Sequence, residues 1–377
     1  MEGIRGGHKV FRKFLYWLYE RYNAEVTLIF VGKKGNLTEI TKVYKVPPFI
    51  NQFLVIPLKL NKIDQYLYSY SKTLFSTTYF KALKKIFQKN LERIDYDIFI
   101  NSTGKYPFFI RNEFLYLQPG VSDIYYGRFI YDFLRRLYWS SLRSIRKELR
   151  ERVRKGDLLI AANSSFIKSF FERIWGKVSI KVIYPPLEID VKNIKTQINS
   201  VKKIVSFGRF VYGKGFEDLI DVWKYLKEEN LEITLAGKSE DKNYIRMLKR
   251  KAIRMRAPVN FRFDLRKEEI DALFSSSDIV VYTSKFEPFG LALVESMAYG
   301  LAPIVHKSGG PWIDIVALGK FGLGYSSIEE LASKIYELLN NESKLQELRK
   351  IAFYRAKNFL ESNIKRKFLN MIEKMKK

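Results

Sequence analysis

IVVYTSKFEPFGLALVESMAYGLAPIVHKSGGP, residues 279–311, decides the fold. Ile279–Thr283 is a short, unbroken run rich in branched apolar residues, as a strand buried on both faces would be. A turn with Pro288 and Gly290 follows it. Gly290–Tyr299 then reads as a helix and Ala302–His306 as a second buried strand. A strand, a helix and a strand in so few residues make a βαβ unit and a parallel sheet. Working outward, the alternation continues. Lys203–Phe207, Glu232–Ala236 and Asn260–Phe263 read as strands, and Gly215–Glu228, Lys242–Arg256, Lys267–Ser275 and Ser327–Asn340 as helices. Such sheets bind ligands beyond the carboxyl ends of their strands, so the loops after the strands are where chemistry is expected.

The chain has 377 residues, which suits two domains at about 100–200 residues each. Pro185-Pro186 marks the boundary, since consecutive prolines stop regular structure and stiffen a linker. The expected division is residues 1–186, residues 187–342, and a helical segment 343–377 that crosses back to the first domain. In the first half Lys9–Tyr22 has apolar residues at helical spacing and follows Gly6-Gly7. A glycine turn that opens a helix normally follows a strand. Only five residues precede this one, so the opening strand of the first sheet is expected to be absent or very short. Strands are expected at Val26–Val31, Phe53–Leu58, Ile98–Asn101, Phe114–Leu117 and Leu158–Asn163. Helices are expected at Tyr66–Lys89, Tyr126–Arg154 and Ser165–Gly176.

Composition removes several classes of function. Zero Cys excludes disulfides, thiolate metal sites and cysteine nucleophiles, and His8 and His306 are too few for a multi-histidine metal centre. No apolar run reaches the ~18 residues of a spanning helix. No signal peptide opens the chain, so the cytoplasmic side is the expectation. The formal charge is +27, of which +18 falls on residues 1–186 and +9 on the remainder. A field of this sign attracts nucleic acid, anionic lipid or phosphorylated substrates. No nucleic-acid recognition motif is present, and the aromatic residues fall at core spacing, so nucleic acid is not the expected partner.

Three loops of the second half carry chemistry. The first holds Gly208, Arg209 and Gly213-Lys214-Gly215. Glycines let backbone amides approach a phosphate, arginine can grip its oxygens bidentately, and lysine adds a mobile charge. The second holds Glu287, Phe289, Gly290 and Leu291, with Glu295 eight residues past Glu287. A carboxylate accepts hydrogen bonds from sugar hydroxyls, and the first amides of a helix are open donors. Equally, Glu287 could complement the helix dipole and Glu295 could sit on a solvated face. The third is Ser308-Gly309-Gly310-Pro311.

Taken together, FEPFGLALVESMAYGLAPIVHKSGGP and the upstream SFGRFVYGKGFEDLI resemble the retaining glycosyltransferases of family 4, which have the GT-B fold. That fold is α/β, with two Rossmann-like domains facing a cleft. The resemblance spans residues 200–320. ANSSFIKSFFERIWGKVSIKVIYPP and HKSGGPWIDIV look most like dolichol-linked mannosyltransferases that use GDP-mannose. The resemblance implies that Arg209 and Lys214, beside Gly208, neutralise the donor diphosphate. It assigns Glu287 to the transferred sugar, Glu295 to the ribose, and the Phe289, Gly290 and Leu291 amides to sugar and phosphate. Gly237 would lie where the nucleotide passes, and Gly7 would face the donor phosphate. The family often carries a His near the sugar in a segment like "HYP". Here that segment reads Tyr116-Leu117-Gln118-Pro119, so Gln118 is the acceptor-side candidate.

Treated as helical, Glu287 and Glu295 would lie roughly 12 Å apart along the axis. A retaining glycosidase needs its two carboxyl groups about 5 Å apart, so two separate binding roles are expected. Asp95 and Asp97 form an Asp-x-Asp pattern at a strand entry, and no metal or other cofactor is expected. The acceptor is expected to be lipid-linked or a glycan. Tyr126–Arg154 mixes aromatics with eight arginines and one lysine, which suits an anionic bilayer surface as well as a core-facing helix with a solvated arginine face. A UDP-sugar donor with a soluble acceptor, and a catalytically silent partner subunit, are the alternatives.

Overall fold

The computed structural model describes residues 6–31, 50–56, 88, 91, 94–101, 106–119, 145–189, 202–226 and 231–375. The chain divides into two compact units: Met1–Asn163 with Ile167–Ile183 and Ile364–Lys377, and Ser164–Phe166 with Tyr184–Asn363.

In the first unit α1 (Gly6–Tyr22) leads into β1 (Val26–Val31), which pairs in parallel with β2 (Ile50–Ile56). A separate parallel sheet runs in the order β3 (Phe99–Asn101), β4 (Glu113–Leu117), β5 (Leu158–Ala162) and β6 (Ile180–Val182). Two helices, α2 (Arg146–Lys155) and α3 (Ser165–Trp175), flank β5 in sequence. The aromatic spacing of α1 has a direct consequence. Phe14 and Trp17 are fully buried, and Phe14 stacks on Phe368 at 4.3 Å while meeting Tyr116 edge-on at 5.0 Å. Phe368 fills this cluster, which is why residues 364–377 belong to the first unit. Glu113 is buried at the entry of β4. Its carboxylate takes Asn101 Nδ2 at 2.5 Å and the Phe109 amide at 2.8 Å, so it anchors a turn at the edge of the sheet away from the strands' carboxyl ends.

The second unit is a six-stranded, all-parallel sheet. Its strands are β7 (Lys202–Phe207), β8 (Leu231–Gly237), β9 (Val259–Phe263), β10 (Ile279–Tyr282), β11 (Ala302–His306) and β12 (Leu323–Tyr325). In space the order is β12-β11-β10-β7-β8-β9. Side chains alternate between two cores, as the period of a strand demands. Ile204, Ile233, Ile279, Val281 and Ile304 pack with α4 (Phe216–Asp221), α5 (Lys242–Met255) and α8 (Ile328–Asn340). Val205, Val280, Tyr282 and Val305 pack with α6 (Lys267–Ser276), α7 (Leu291–Ala298) and α9 (Glu342–Ala356). The last helix is α10 (Glu361–Ile372). Where the strands begin, buried Arg349 faces Asp278 Oδ1 at 3.5 Å and gives its Nε hydrogen to the Gly300 carbonyl at 2.8 Å. That charge pair lies at the opposite edge from the ligand-binding loops, so it belongs to the scaffold.

Several expectations need correction. Gly6 and Gly7 are the first residues of α1, not a loop ahead of it. A helix's first turn has amides without intrahelical partners, so glycine there breaks no ladder. The first-half strands fall in two sheets among the described residues rather than one. The helix expected from Gly215 to Glu228 is shorter: α4 ends at Asp221 and tightens into a 3-10 turn, Val222–Lys224. The strands β6 and β12 carry too few residues to show a period and were not expected. The helix expected at Tyr66–Lys89 and most of Tyr126–Arg154 lie outside the described residues, apart from single positions and Ile145–Arg154.

Candidate active site

Strand β7 is the start of the second sheet. The chain moves outward through β8 and β9, then returns to add β10 on the other side of β7. Where the direction of winding reverses, the loops leaving two adjacent strands part, and open α/β sheets bind ligands there. The loops in question are residues 208–215 and 283–290, two of the three singled out from sequence.

These two loops are fastened together. Thr283 Oγ1 donates to the Lys214 carbonyl at 2.7 Å, and a side chain at Gly215 (φ +69°) would put its Cβ 2.6 Å from the Thr283 carbonyl oxygen. Lys214 Nζ is ion-paired with Glu287 Oε2, and the two side chains are only 13% and 17% exposed. The first cation and the first carboxylate of the motif therefore meet as a pair.

Loop 208–215 is equally tied to β8. The Gly208 amide donates to the Ala236 carbonyl at 3.0 Å and the Phe210 amide to the Lys238 carbonyl at 2.8 Å. Gly237 lies beneath this crossing at φ +144°, and a Cβ on it would fall 1.6 Å from the Gly208 carbonyl oxygen. Glycine is required there by the approach of one loop to another strand. Arg209 is half-exposed and pairs with Glu240 at 2.9 Å. Both phosphate candidates, Arg209 and Lys214, thus already hold a carboxylate.

Loop 283–290 is held from the side by the turn after β11. Phe286 adopts φ +54°, and its amide donates to Ser308 Oγ at 3.0 Å. Ser308 Oγ lies 2.8 Å from His306 Nδ1. The hydroxyl thus links the Phe286 amide to the imidazole, and through it the turn after β11 holds the loop. Burial, and then the Lys285 charge, hold His306 down at about 4, so the ring is neutral. The Gly310 amide donates to the Glu287 carbonyl at 2.8 Å. Cβ atoms at Gly309 and Gly310 would sit 2.5 Å from the Glu287 carbonyl oxygen and 2.3 Å from that of Pro288. The paired glycines leave room for the backbone that carries Glu287.

Glu287 belongs to a turn, because α7 begins only at Leu291. The axial separation from Glu295 expected for a continuous helix therefore does not apply. Glu295 is half-buried on α7. Buried Tyr282, at the end of β10, feels Glu287, Glu295 and Arg209 together. Its hydroxyl is pushed well above its ordinary value, first by burial and then by the Glu287 charge. Gly290 starts the helix at φ +102°, packed on the Tyr282 ring. Among the described residues the amides of Phe289, Gly290 and Leu291 donate to no protein acceptor, as the opening of a helix leaves them. The Phe289 ring is buried and stacks on Tyr184 at 5.5 Å.

Gly208, Arg209, Lys214, Gly237, Glu287, Phe289, Gly290 and Leu291 thus all lie at the carboxyl ends of the second unit's strands or at the start of α7, and Glu295 lies just past the first turn of that helix. In the first unit Gly7 lies in α1, and Gln118 follows β4 at the carboxyl end of that strand, half-buried. Sequence reasoning named Ser308 only as part of the third loop, without a role, and passed over Glu240, Tyr282 and Thr283. It also passed over Asp314, in a π-helical turn Pro311–Ile315. Asp314 accepts from the Ser165 and Phe166 amides at 2.7 and 3.1 Å, which explains why Ser164–Phe166 group with the second unit.

The family model described as glycosyl transferases group 1 matches residues 190–356, the stretch that contains every one of the second-unit site residues. Residues 190–356 are a glycosyltransferase group 1 domain. Among proteins similar to the chain is the GDP-Man:Man(3)GlcNAc(2)-PP-Dol alpha-1,2-mannosyltransferase of Dictyostelium discoideum, 26% identical over 57% of this chain and 47% of the relative. Another is the uncharacterized glycosyltransferase YqgM of Bacillus subtilis, 28% identical over 52% and 55%. The chain spans about half the length of these curated relatives. The solved structure of Anabaena HepE in complex with UDP superposes with a TM-score of 0.69 at 19% identity, over 99% of this chain and 98% of that one. A glycosyltransferase from Rickettsia africae gives 0.67 at 18% identity, over 98% and 94%. The group 1 domain is accordingly one of two parallel-sheet Rossmann-like units in a chain with the GT-B fold. No helix among the described residues is long and apolar enough to cross a membrane.

Proposed function

We propose that the chain is a retaining glycosyltransferase that moves a hexose, mannose from GDP-mannose in the first instance, onto a lipid-linked or glycan acceptor. The observation that carries this reading is the Lys214–Glu287 pair at the switch point, flanked by open helix amides and Arg209. A nucleotide-sugar donor needs cations for its diphosphate and a carboxylate for its sugar, held side by side. The Dictyostelium relative named for GDP-mannose supports the choice of donor and acceptor. The neighbours solved with UDP and UDP-glucose keep a UDP-sugar as the second reading.

In the reaction the C1–O bond to the diphosphate breaks, the acceptor oxygen bonds to C1 on the same face, and its proton passes to a donor phosphate oxygen. Negative charge grows on the leaving diphosphate. Arg209, Lys214 and the Phe289–Leu291 amides are fixed donors aimed at that charge, and each such contact is worth about 3 kcal/mol, or 10²–10³ in rate. Glu287 would hold a hydroxyl of the transferred sugar and Glu295 the ribose. With the charge met by protein cations, no metal has a necessary role in this scheme. Gly7 and Gln118 would serve the donor phosphate and the acceptor from the first unit. The anionic cytoplasmic membrane face is the proposed place of work.

A donor screen with GDP-, UDP- and ADP-sugars, read as nucleoside diphosphate release and product anomer, tests the proposal. GDP-mannose turnover with retention, lost in Glu287→Ala while circular dichroism shows that variant still folded, is the expected result. No release from any donor would point to a silent subunit, and inversion would sink the mechanism.

A further inference from the structure

The exposed helices of the group 1 domain mix their charges, with α5 as the exception. Lys267 on α6 pairs with Asp271, Lys334 on α8 with Glu337, and Lys344 on α9 with Glu337. Helix α5, Lys242–Met255, has the sequence KNYIRMLKRKAIRM, with six cations and no acid. The two acids that precede it are both engaged: Asp241 on the N-cap, accepting from the Asn243 and Tyr244 amides at 2.8 and 3.0 Å, and Glu240 with Arg209 at 2.9 Å. Two of the six cations have partners elsewhere in the fold. Lys251 pairs with Asp221, and Lys249 lies over the Phe263 ring at 5.2 Å.

The remaining four are Lys242, Arg246, Arg250 and Arg254, all exposed and spaced by four residues each. They form one row along the helix, about 18 Å long at 1.5 Å per residue. Like charges at this spacing destabilise a helix. Among the described residues no carboxylate lies in ion-pair distance of any of the four. Arg246, Arg250 and Arg254 line an open depression of about 490 Å³ with Asn243, Met247 and Lys251. One turn from Lys249 and Arg250 stands Ile253, 78% exposed, with apolar surface left in water.

We infer that this face of α5 docks on an anionic lipid bilayer, the row of cations lying on headgroup phosphates and Ile253 entering the acyl boundary. The row turns by about 40° per step, so its cations stay within about a third of the helix surface, with Ile253 among them. Cations flanking an exposed aliphatic are what an interfacial helix presents. A nucleic acid would use the charges but not Ile253. The helix's aromatic, Tyr244, is buried and offers no base a ring to stack on.

The test is flotation of the full chain with phosphatidylcholine vesicles, with and without phosphatidylglycerol. Binding is expected only to the anionic vesicles and is expected to fall with salt. Each cation at such a surface is worth about fivefold in partitioning, so the triple variant Arg246→Gln, Arg250→Gln, Arg254→Gln should bind about 100-fold more weakly. Glutamine is a good helix former and removes the repulsion, so the variant should fold at least as well. A second triple, Lys350→Gln, Arg366→Gln, Lys367→Gln, removes equal charge elsewhere and should stay near wild type. Ile253→Ser should weaken binding with no change in charge. Equal loss in both triples would show net charge alone and overturn the inference. So would flotation with neutral vesicles, absence of flotation, or preferential capture of duplex DNA through the same arginines. None of these readouts requires donor turnover, so the outcome is separate from that of the proposed activity.

Discussion

Gly237→Ala is the sharpest perturbation of the donor loop. The new Cβ would start 1.6 Å from the Gly208 carbonyl oxygen, and real Cβ contacts do not come closer than 3.0 Å. Both atoms belong to backbone, so no rotamer change relieves the clash, and the 208–210 segment has to lift away from β8. Three hydrogen bonds anchor it: Gly208 to Ala236 at 3.0 Å, Phe210 to Lys238 at 2.8 Å and Asp241 to Phe210 at 3.0 Å. At about 0.5–1.5 kcal/mol each, their loss amounts to about 1.5–4.5 kcal/mol. Alanine at φ +144° adds about 1–3 kcal/mol of backbone strain. The expected cost of about 3–7 kcal/mol is a large fraction of a domain's whole stability. Gly213→Ala is the control. It also has a positive φ, +92°, but nothing lies within 4 Å of its Cβ, so it should cost only about 1–2 kcal/mol. Urea unfolding gives the stabilities, and calorimetric titration with GDP or UDP reports on Arg209 and Lys214. Equal unfolding midpoints for the two variants, or unchanged nucleotide binding in Gly237→Ala, would refute the crossing as drawn.

Other outcomes can be stated briefly. Ser308→Ala leaves the Phe286 amide without its acceptor, at about 1–3 kcal/mol, so donor turnover should fall about 5–150-fold. Ser308→Thr keeps the hydroxyl and should recover most of it, and an Ala variant as active as wild type would show that the loop is held otherwise. Glu240→Gln releases Arg209 from an exposed pair worth about 0–1 kcal/mol, so nucleoside diphosphate should bind up to about fivefold tighter in low salt. Weaker binding would mean that Glu240 itself touches the ligand. For His306 the unfolded ring takes a proton near 6.5 and the folded ring near 4. Stability should therefore fall as pH drops through that interval and be unaffected above it. The ring's solvent-facing edge reduces the full effect to about 1–2 kcal/mol. His306→Gln should remove that slope, seen as the difference between urea midpoints near pH 7 and near pH 4.5, and an unchanged difference would argue against a buried neutral ring.

The amino-acid sequence alone was enough for the alternation of the second unit. Each strand there is a compact apolar run and each helix a periodic one, so local pattern and tertiary role coincide. Ala302–His306 and Val26–Val31 came out with the bounds the structure shows. The site residues of the group 1 domain were legible for a related reason. Ligands of such sheets gather after the strands, so glycine, arginine, lysine and glutamate in those loops already carry positional information. Strands of three residues such as Ile180–Val182 and Leu323–Tyr325 have no period to read. They exist because a neighbouring strand offers its edge.

What only tertiary structure decided is which charges meet. Lys214 and Glu287 are 73 residues apart in the chain and form a pair because β7 and β10, although distant in sequence, are adjacent in the sheet. The glycine at 237 is explained by a carbonyl 29 residues upstream, and the one at 310 by Pro288, neither of which any local pattern could announce. Phe368 joins the first unit because Phe14 and Trp17 leave a place for its ring. Local sequence sets the period of each element. Contacts between distant residues depend on strand order, and strand order follows from burying both faces of the sheet at once.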